Sequence, residues 1–279
     1  MIESIKSAYR YLRWKSFWSN CQLPEVTLSD IVDVQHSKPP VILDKLCLPP
    51  HNGTDDHDDV MPLLSLVDTL SPKVVLELGT AHGATVANIC AISEARVYTV
   101  NALPEQMEGT LVTFALDKDE IGSVYRDNGF SDRVTQVYEN TKGINLEKYL
   151  KGANVDLVII DACHDADFVI NDFFSVTRVI HPGTIVIMHD VHPSMKGHLL
   201  DSYLACMYLR KLGYNIKHIS STWWAIWTCG DTTHIANPLY KLLNALDNKL
   251  MLLIKREHTY DVLILRWLTY LYYFKIRQS

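Results

Sequence analysis

The middle of the chain alternates between short apolar runs and segments in which apolar residues recur at helical spacing. The apolar runs are rich in β-branched residues and cover 73–78, 96–100, 133–138, 155–161 and 184–188. The helical segments cover 84–94, parts of 102–130, 146–150, 168–180 and 198–212. Because strands that alternate with helices form βαβ units, this pattern predicts an α/β fold with a mostly parallel sheet and helices on both faces. Two further strands, at 216–220 and 223–229, have no helix between them, which predicts an antiparallel edge and seven strands in all.

The two flanks of this region have different patterns. Residues 1–59 predict a basic, aromatic helix followed by an irregular cap segment with several prolines. Asp58 or Asp59 is a candidate cap for a helix that runs to about Leu70. Residues 238–279 predict two helices, the first with leucines along one face. We therefore expect an N-terminal cap segment, an α/β domain at 60–237 and a C-terminal helical extension.

Charge is distributed unevenly along the chain. The formal net charge is −6, yet residues 1–20 carry +3 and residues 238–279 carry +4, so the middle is strongly acidic. An acidic middle argues against nucleic acid as a partner. The basic, aromatic ends suit a contact between identical subunits or a membrane surface, while packing within the chain is the simpler interpretation of the leucine face.

The sequence also indicates the compartment. It shows neither an N-terminal secretory pattern nor a run of about 20 apolar residues, so we expect a cytoplasmic protein, with peripheral contact at the inner membrane as an alternative. The six cysteines lie without metal-like spacing, which predicts reduced thiols.

A turn rich in glycine follows the first apolar run. It reads Glu77-Leu-Gly79-Thr80-Ala-His-Gly83 and opens the next helical segment. Glycine lets the backbone approach a ligand, and the N-terminus of a helix offers free amide groups. An ordinary tight turn between a strand and a helix has the same composition, so this motif alone does not decide between the two.

Polar residues also follow the other predicted strands. The carboxyl ends of parallel strands meet at one edge of a sheet, where ligands bind. The sequence therefore predicts one polar crevice, in preference to a series of unrelated loops. The residues at these strand ends are Asn101, Asn140 and Thr141, Asp161, and His189 with Asp190.

Several of these segments together resemble a known family. The runs VVLELGTAHGATVANIC, VDLVIIDACHDADFVINDF and IHPGTIVIMHDVHP are similar to those of class I S-adenosylmethionine (SAM)-dependent methyltransferases, which have a Rossmann-like, mostly parallel seven-stranded sheet. Within that family, the IDxxH and HD motifs resemble the sugar and macrolide O-methyltransferases. The resemblance covers about 60–229 and implies SAM as the cofactor.

The resemblance also implies roles for individual residues. Glu77, Gly79, Thr80 and Gly83 would hold the methionine part of SAM, with Asp161 beside them. Asn101 would hold the ribose hydroxyls, where the family usually has an acidic residue, and Asn140 and Thr141 would flank the adenine.

The strand ends at 161–164 and 189–192 carry residues suited to the chemical step. His164 is a candidate base for the proton of a hydroxyl acceptor, with Asp161 and Asp190 as further catalytic candidates. Asp161, His189 and Asp190 are candidate ligands of Mg²⁺ or another divalent metal, although His189 stands where similar enzymes have an acid, and Mg²⁺ prefers oxygen. Purely structural hydrogen bonds are the alternative for Asp161 and His189. The acidic run 55–59 reads as a solvated loop and helix cap in preference to a metal site.

These observations favour a SAM-dependent O-methyltransferase that acts on a hydroxyl of a sugar, glycolipid or secondary metabolite. The fold alone does not determine the activity. A cyclisation, hydroxylation or elimination on the same scaffold, or a non-catalytic binding protein, therefore stays open at this point.

Overall fold

A computed structural model of the chain describes residues 23–31, 59–107, 115–192 and 200–232. The predicted helix at 1–20, the acidic residues 55–58 and the extension at 238–279 lie outside the described residues. The proposed contacts of the basic ends therefore stay predictions.

Eight strands form one sheet in the order β1-β7-β8-β6-β5-β2-β3-β4. Neighbouring strands are parallel, except that β8 is antiparallel to both β6 and β7. The mixed α/β architecture predicted from the alternating pattern is confirmed. The strands are β1 (Glu25–Val26), β2 (Val74–Leu78), β3 (Arg96–Val100), β4 (Val134–Val137), β5 (Val155–Ile160), β6 (Ile180–Met188), β7 (Lys217–Ile219) and β8 (Ala225–Thr228).

The structure corrects the predicted sheet in two respects. It has eight strands rather than seven, because Glu25–Val26 pairs with β7 inside the segment that was predicted to be irregular. The predicted antiparallel pair is confirmed in β7 and β8, but it does not form the edge of the sheet, because β1 lies outside β7. A strand of two residues has no periodicity that a sequence pattern could reveal, and strand order depends on tertiary packing.

In the part of the chain that the structure describes, six α-helices connect or flank these strands. Three single turns of 3₁₀-helix, at Leu28–Asp30, Pro104–Gln106 and Ser131–Arg133, occur in the connections. The α-helices are α1 (Val60–Leu70), α2 (Ala84–Ile92), α3 (Ser123–Asp127), α4 (Glu147–Leu150), α5 (Ala166–Val176) and α6 (Leu200–Lys211). None of the helices in the described ranges is long and apolar enough to cross a membrane.

Two apolar clusters cover the two faces of the sheet. Side chains of α5 and α6 pack on one face, around Phe173, and those of α1 and α2 pack on the other, around Leu66 and Ile89. Strand β5 is buried on both faces, which explains why its sequence is apolar almost throughout. Because both faces are covered, the carboxyl edge of the parallel strands is where polar side chains can gather.

Candidate active site

A glycine at the end of β2 lets the chain pass tightly between the neighbouring strands. Gly79 has φ +107°, and a Cβ at this position would lie 2.0 Å from the carbonyl oxygen of Asp161. On the other side, the Gly79 amide donates to the Val100 carbonyl oxygen at 2.8 Å. Only glycine combines this backbone angle with so close an approach. The glycine loop, residues 79–83, therefore begins directly against the residues that follow β5.

The second glycine of the loop is held by residues that the sequence pattern did not single out. Gly83 precedes α2 with φ +80°, and a Cβ there would lie 2.7 Å from the Tyr125 ring. The amides of Gly122 and Val124 donate to the carbonyl oxygens of Ala81 and His82, both at 2.9 Å. Helix α3 therefore fixes the shape of the glycine loop from outside.

Glu77 and Thr80 connect the glycine loop to β3 through Thr99. Glu77 is buried, and its carboxylate accepts a hydrogen bond from Thr99 at 2.5 Å. Thr99 in turn lies 2.7 Å from the Thr80 hydroxyl, which also accepts from Gln136. Burial raises the pKa of Glu77 to about 8. The side chains of Glu77 and Thr80 thus belong to a buried network, and their predicted contact with SAM stays a prediction.

Asn101 extends the same edge of the sheet at the end of β3. Its side-chain oxygen accepts from the Ala81 amide at 3.0 Å, and its nitrogen donates to the Ala102 carbonyl oxygen at 2.8 Å. The predicted ribose residue is therefore tied to the glycine loop, beside the end of β2.

The loop after β4 carries the two residues predicted to flank the adenine. The Asn140 side chain accepts from the Lys142 amide at 2.9 Å, and the Thr141 carbonyl oxygen accepts from Asn171 at 3.0 Å. Lys142 also forms a 2.6 Å ion pair with the fully buried Asp167. Residues of α5 therefore anchor the loop at the carboxyl edge.

The ends of β5 and β6 bring four titratable side chains together. His164 Nδ1 lies 2.7 Å from Asp190 Oδ2, and His164 Nε2 lies 3.6 Å from Asp161 Oδ1. His189 Nδ1 lies 3.2 Å from the same oxygen of Asp161. The Asp161 side chain is 28% exposed, against 7% to 15% for the other three, so Asp161 is the most open to a ligand.

Opposite charges outweigh burial in this cluster. Burial opposes the charged form of His164, but the nearby carboxylates of Asp161 and Asp190 raise its pKa to about 9. Burial acts in the same sense on His189, and Asp161 overcomes it, so this pKa lies well above the ordinary value. Burial would raise the pKa of Asp161, but the positive charges of His189 and His164 hold it well below its usual range. The carboxylates of the cluster therefore favour the protonated, charged forms of His164 and His189.

A fifth residue, Asp59, joins the cluster from the start of α1. Its Oδ2 lies 3.2 Å from His189 Nε2, and its Oδ1 accepts from the Trp223 amide at 2.7 Å. The sequence suggested Asp59 only as a helix cap, and its side chain makes no capping hydrogen bond. No local signal could have revealed this role, because its partners lie more than a hundred residues away in the chain.

Three side chains of the cluster are placed as a cation would require. One ligand atom each from Asp161, His164 and Asp190 lies within 4.8 Å of the others. The predicted metal set had His189 in place of His164, whereas the three side chains that meet this distance are those of Asp161, His164 and Asp190. Two carboxylates and one imidazole suit a divalent transition metal better than Mg²⁺.

Four of the five residues of the cluster lie in a segment that matches a known family. Residues 76–191 match the model of a methyltransferase domain. The chain carries a class I methyltransferase domain. It is therefore a SAM-dependent methyltransferase, as the resemblance in its motifs implied.

Several solved structures are similar to this chain. An O-methyltransferase from Bacillus cereus in complex with SAH is 16% identical, with a TM-score of 0.44, over 72% of this chain and 94% of that one. The O-methyltransferase TomG from Streptomyces achromogenes, involved in tomaymycin synthesis and in complex with SAM, is 15% identical, with a TM-score of 0.46, over 78% of this chain and 98% of that one. No curated protein matches the chain.

The methyltransferase domain does not contain the whole cluster. The matched segment ends at residue 191 and begins at residue 76, so Asp59 and Trp223 lie outside it. Burial raises the pKa of the Cys163 thiol, between Asp161 and His164, to about 12, which disfavours the thiolate that a cysteine nucleophile requires.

Proposed function

We propose that this methyltransferase transfers the methyl group of SAM to a hydroxyl of a sugar, glycolipid or secondary metabolite, with His164 as the base. The observation that carries the proposal is the Asp190–His164 pair, with 2.7 Å between its nitrogen and oxygen, next to the glycine loop. Asp161 connects the two, since its carbonyl oxygen lies against Gly79 and its carboxylate faces His164.

The proposed mechanism assigns one task to each side chain. Bound SAM supplies an electrophilic methyl group. Asp190 holds His164 Nδ1 and leaves Nε2 to accept the proton of the acceptor hydroxyl. Asp161, the most exposed of the acids, orients that hydroxyl. The glycine loop and Asn101 would hold the cofactor beside this base, so that methyl donor and acceptor are brought together.

A divalent cation is the second way in which the same residues can serve this reaction. The grouping of Asp161, His164 and Asp190 supports it. A cation held there would lower the pKa of the acceptor hydroxyl, and His164 would then be a ligand in place of a base. The two versions differ in whether a chelator abolishes turnover.

The experiment measures formation of S-adenosylhomocysteine from SAM with a panel of free sugars, nucleotide sugars and phenolic metabolites. We expect turnover with at least one hydroxyl acceptor and a loss of about 10²-fold to 10⁴-fold in His164→Asn. His181→Asn is the matched control, because His181 lies at the opposite end of β6. Full activity of His164→Asn would refute the assignment of the base, and loss of activity in EDTA that Mn²⁺ restores would favour the cation.

A further inference from the structure

Asp59 is held in place by the turn between β7 and β8. Its Oδ1 accepts a hydrogen bond from the Trp223 amide at 2.7 Å, and its backbone carbonyl oxygen accepts from Trp224 Nε1 at 2.8 Å. The Asp59 side chain is only 10% exposed. Two donors from one turn thus fix both the backbone and the carboxylate, and they leave Oδ2 directed at His189.

His189 is constrained from both sides of its ring. Nε2 lies 3.2 Å from Asp59 and Nδ1 lies 3.2 Å from Asp161, while the ring packs against Trp224 at 4.3 Å between centroids. A 180° flip of the imidazole would replace both nitrogens by carbons and lose both contacts. Asp59 therefore determines which atom of His189 faces Asp161.

The position of Asp59 in the chain indicates that its carboxylate does not serve the helix. Asp59 immediately precedes α1, where an aspartate side chain usually accepts from the first amides of the helix and stabilises it by about 0.5–2 kcal/mol. Here it makes no such bond, and the backbone of Asp59 is already helical, with φ −92° and ψ −21°. The carboxylate is directed into the cluster instead.

We propose that Asp59 is a positioning residue, which orients Asp161 for the acceptor through the imidazole of His189. The inference rests on the proposed function, because Asp161 is given its role there. It places a segment upstream of the matched domain, and the turn at Trp223, within the catalytic machinery. Outer partners of this kind typically contribute about 10-fold to 100-fold in activity.

The first test needs no acceptor. In the full chain, side-chain ¹H–¹⁵N NMR spectra report the two ring nitrogens of His189, assigned by comparison with His189→Asn. We expect Asp59→Asn to shift both nitrogens, including Nδ1, which faces Asp161 and not Asp59. Asp68→Asn, which removes a carboxylate from the same helix away from the cluster, is the matched control. An unchanged Nδ1 signal in Asp59→Asn would overturn the proposal.

The second test separates positioning from stability. Asp59→Ser retains a residue that favours a helix start but cannot reach His189, so we expect its melting temperature to match or exceed that of Asp59→Asn. Its kcat should fall about 10-fold to 100-fold, with the KM for SAM within about twofold of the unmodified chain. In a His189→Asn background the same substitution should have little further effect, because the two residues act in series.

These outcomes distinguish the inference from the proposed function. A chain that turns over no hydroxyl acceptor refutes the proposed function, and the NMR test then decides alone whether Asp59 controls His189. A normal kcat in Asp59→Ser refutes the positioning role and leaves the proposed methyl transfer intact. The same holds if Asp59→Ser lowers kcat by the same factor in the His189→Asn background as in the unmodified chain.

Discussion

Substitution of Gly79 by alanine should destabilise the fold and abolish binding of SAM. The new Cβ would lie 2.0 Å from the carbonyl oxygen of Asp161 and 2.7 Å from the Ala162 amide nitrogen, both backbone atoms. Because carbon atoms pack at about 3.5–4.0 Å, the end of β5 would have to move by more than about 1 Å. Overpacking of this kind costs about 1–3 kcal/mol, and the φ of +107° adds about 1–3 kcal/mol for an L residue.

The chain offers a control that contains only the second of these costs. Gly230 has φ +96°, and no atom of the described residues lies within 4 Å of its Cβ position. Urea unfolding should therefore show a loss of about 2–6 kcal/mol for Gly79→Ala, where both costs apply, and about 1–3 kcal/mol for Gly230→Ala, where only the second applies. SAM should raise the melting temperature of Gly230→Ala but not of Gly79→Ala. Equal losses of stability, or a normal response of Gly79→Ala to SAM, would refute the argument from close approach.

Three further predictions follow from buried charge. Lys142→Met should cost about 3–5 kcal/mol in urea unfolding, since it leaves the buried Asp167 carboxylate without its ion pair, whereas Lys148→Met, at an exposed pair, should leave the unfolding curve nearly unchanged. Glu77 keeps its proton in the folded chain up to about pH 8 and releases it near pH 4.5 in the unfolded chain. The free energy of unfolding should therefore fall by at most about 5 kcal/mol as the pH rises between these two values. Glu77→Gln should remove that decline in a series of unfolding curves recorded at increasing pH. If His164 is the base, methyl transfer should accelerate from pH 7 to about pH 9, where its pKa lies, and a flat profile over this range would contradict that role.

The strands of the sheet could be predicted where their sequence is apolar and β-branched. The bounds predicted for 96–100 coincide with those of β3, and β2 and β5 differ from the predictions by one residue at one end. Strand β6 begins at Ile180 rather than at 184, because Pro182 and Gly183 indicate a break that the sheet accommodates by a shift in register against β5. Local propensity identifies strands but not the irregularities that neighbouring strands impose.

In the candidate site, too, some residues could be predicted from the sequence and others could not. Asp161, Asn101 and Asp190 were identified because they follow strands, and parallel strands must bring them to one edge. The contact of Asp59 with His189 and the packing of Tyr125 on Gly83 depend on how distant segments dock, which no spacing in the sequence encodes. The family and the enzyme class predicted from the motifs are confirmed, while the role of each residue stays a prediction.

The short strand β1 covers an edge of β7 to which a strand of another copy could otherwise pair. Its two residues pair with β7, and Leu23, just before it, is buried and donates to the Tyr203 hydroxyl at 3.2 Å. An uncovered β7 would present free amide and carbonyl groups, and exposed strands of this kind recruit strands of other molecules. A fragment trimmed to the predicted 60–237 domain would lack this cover, so it should polymerise on concentration, and light scattering would reveal the aggregates.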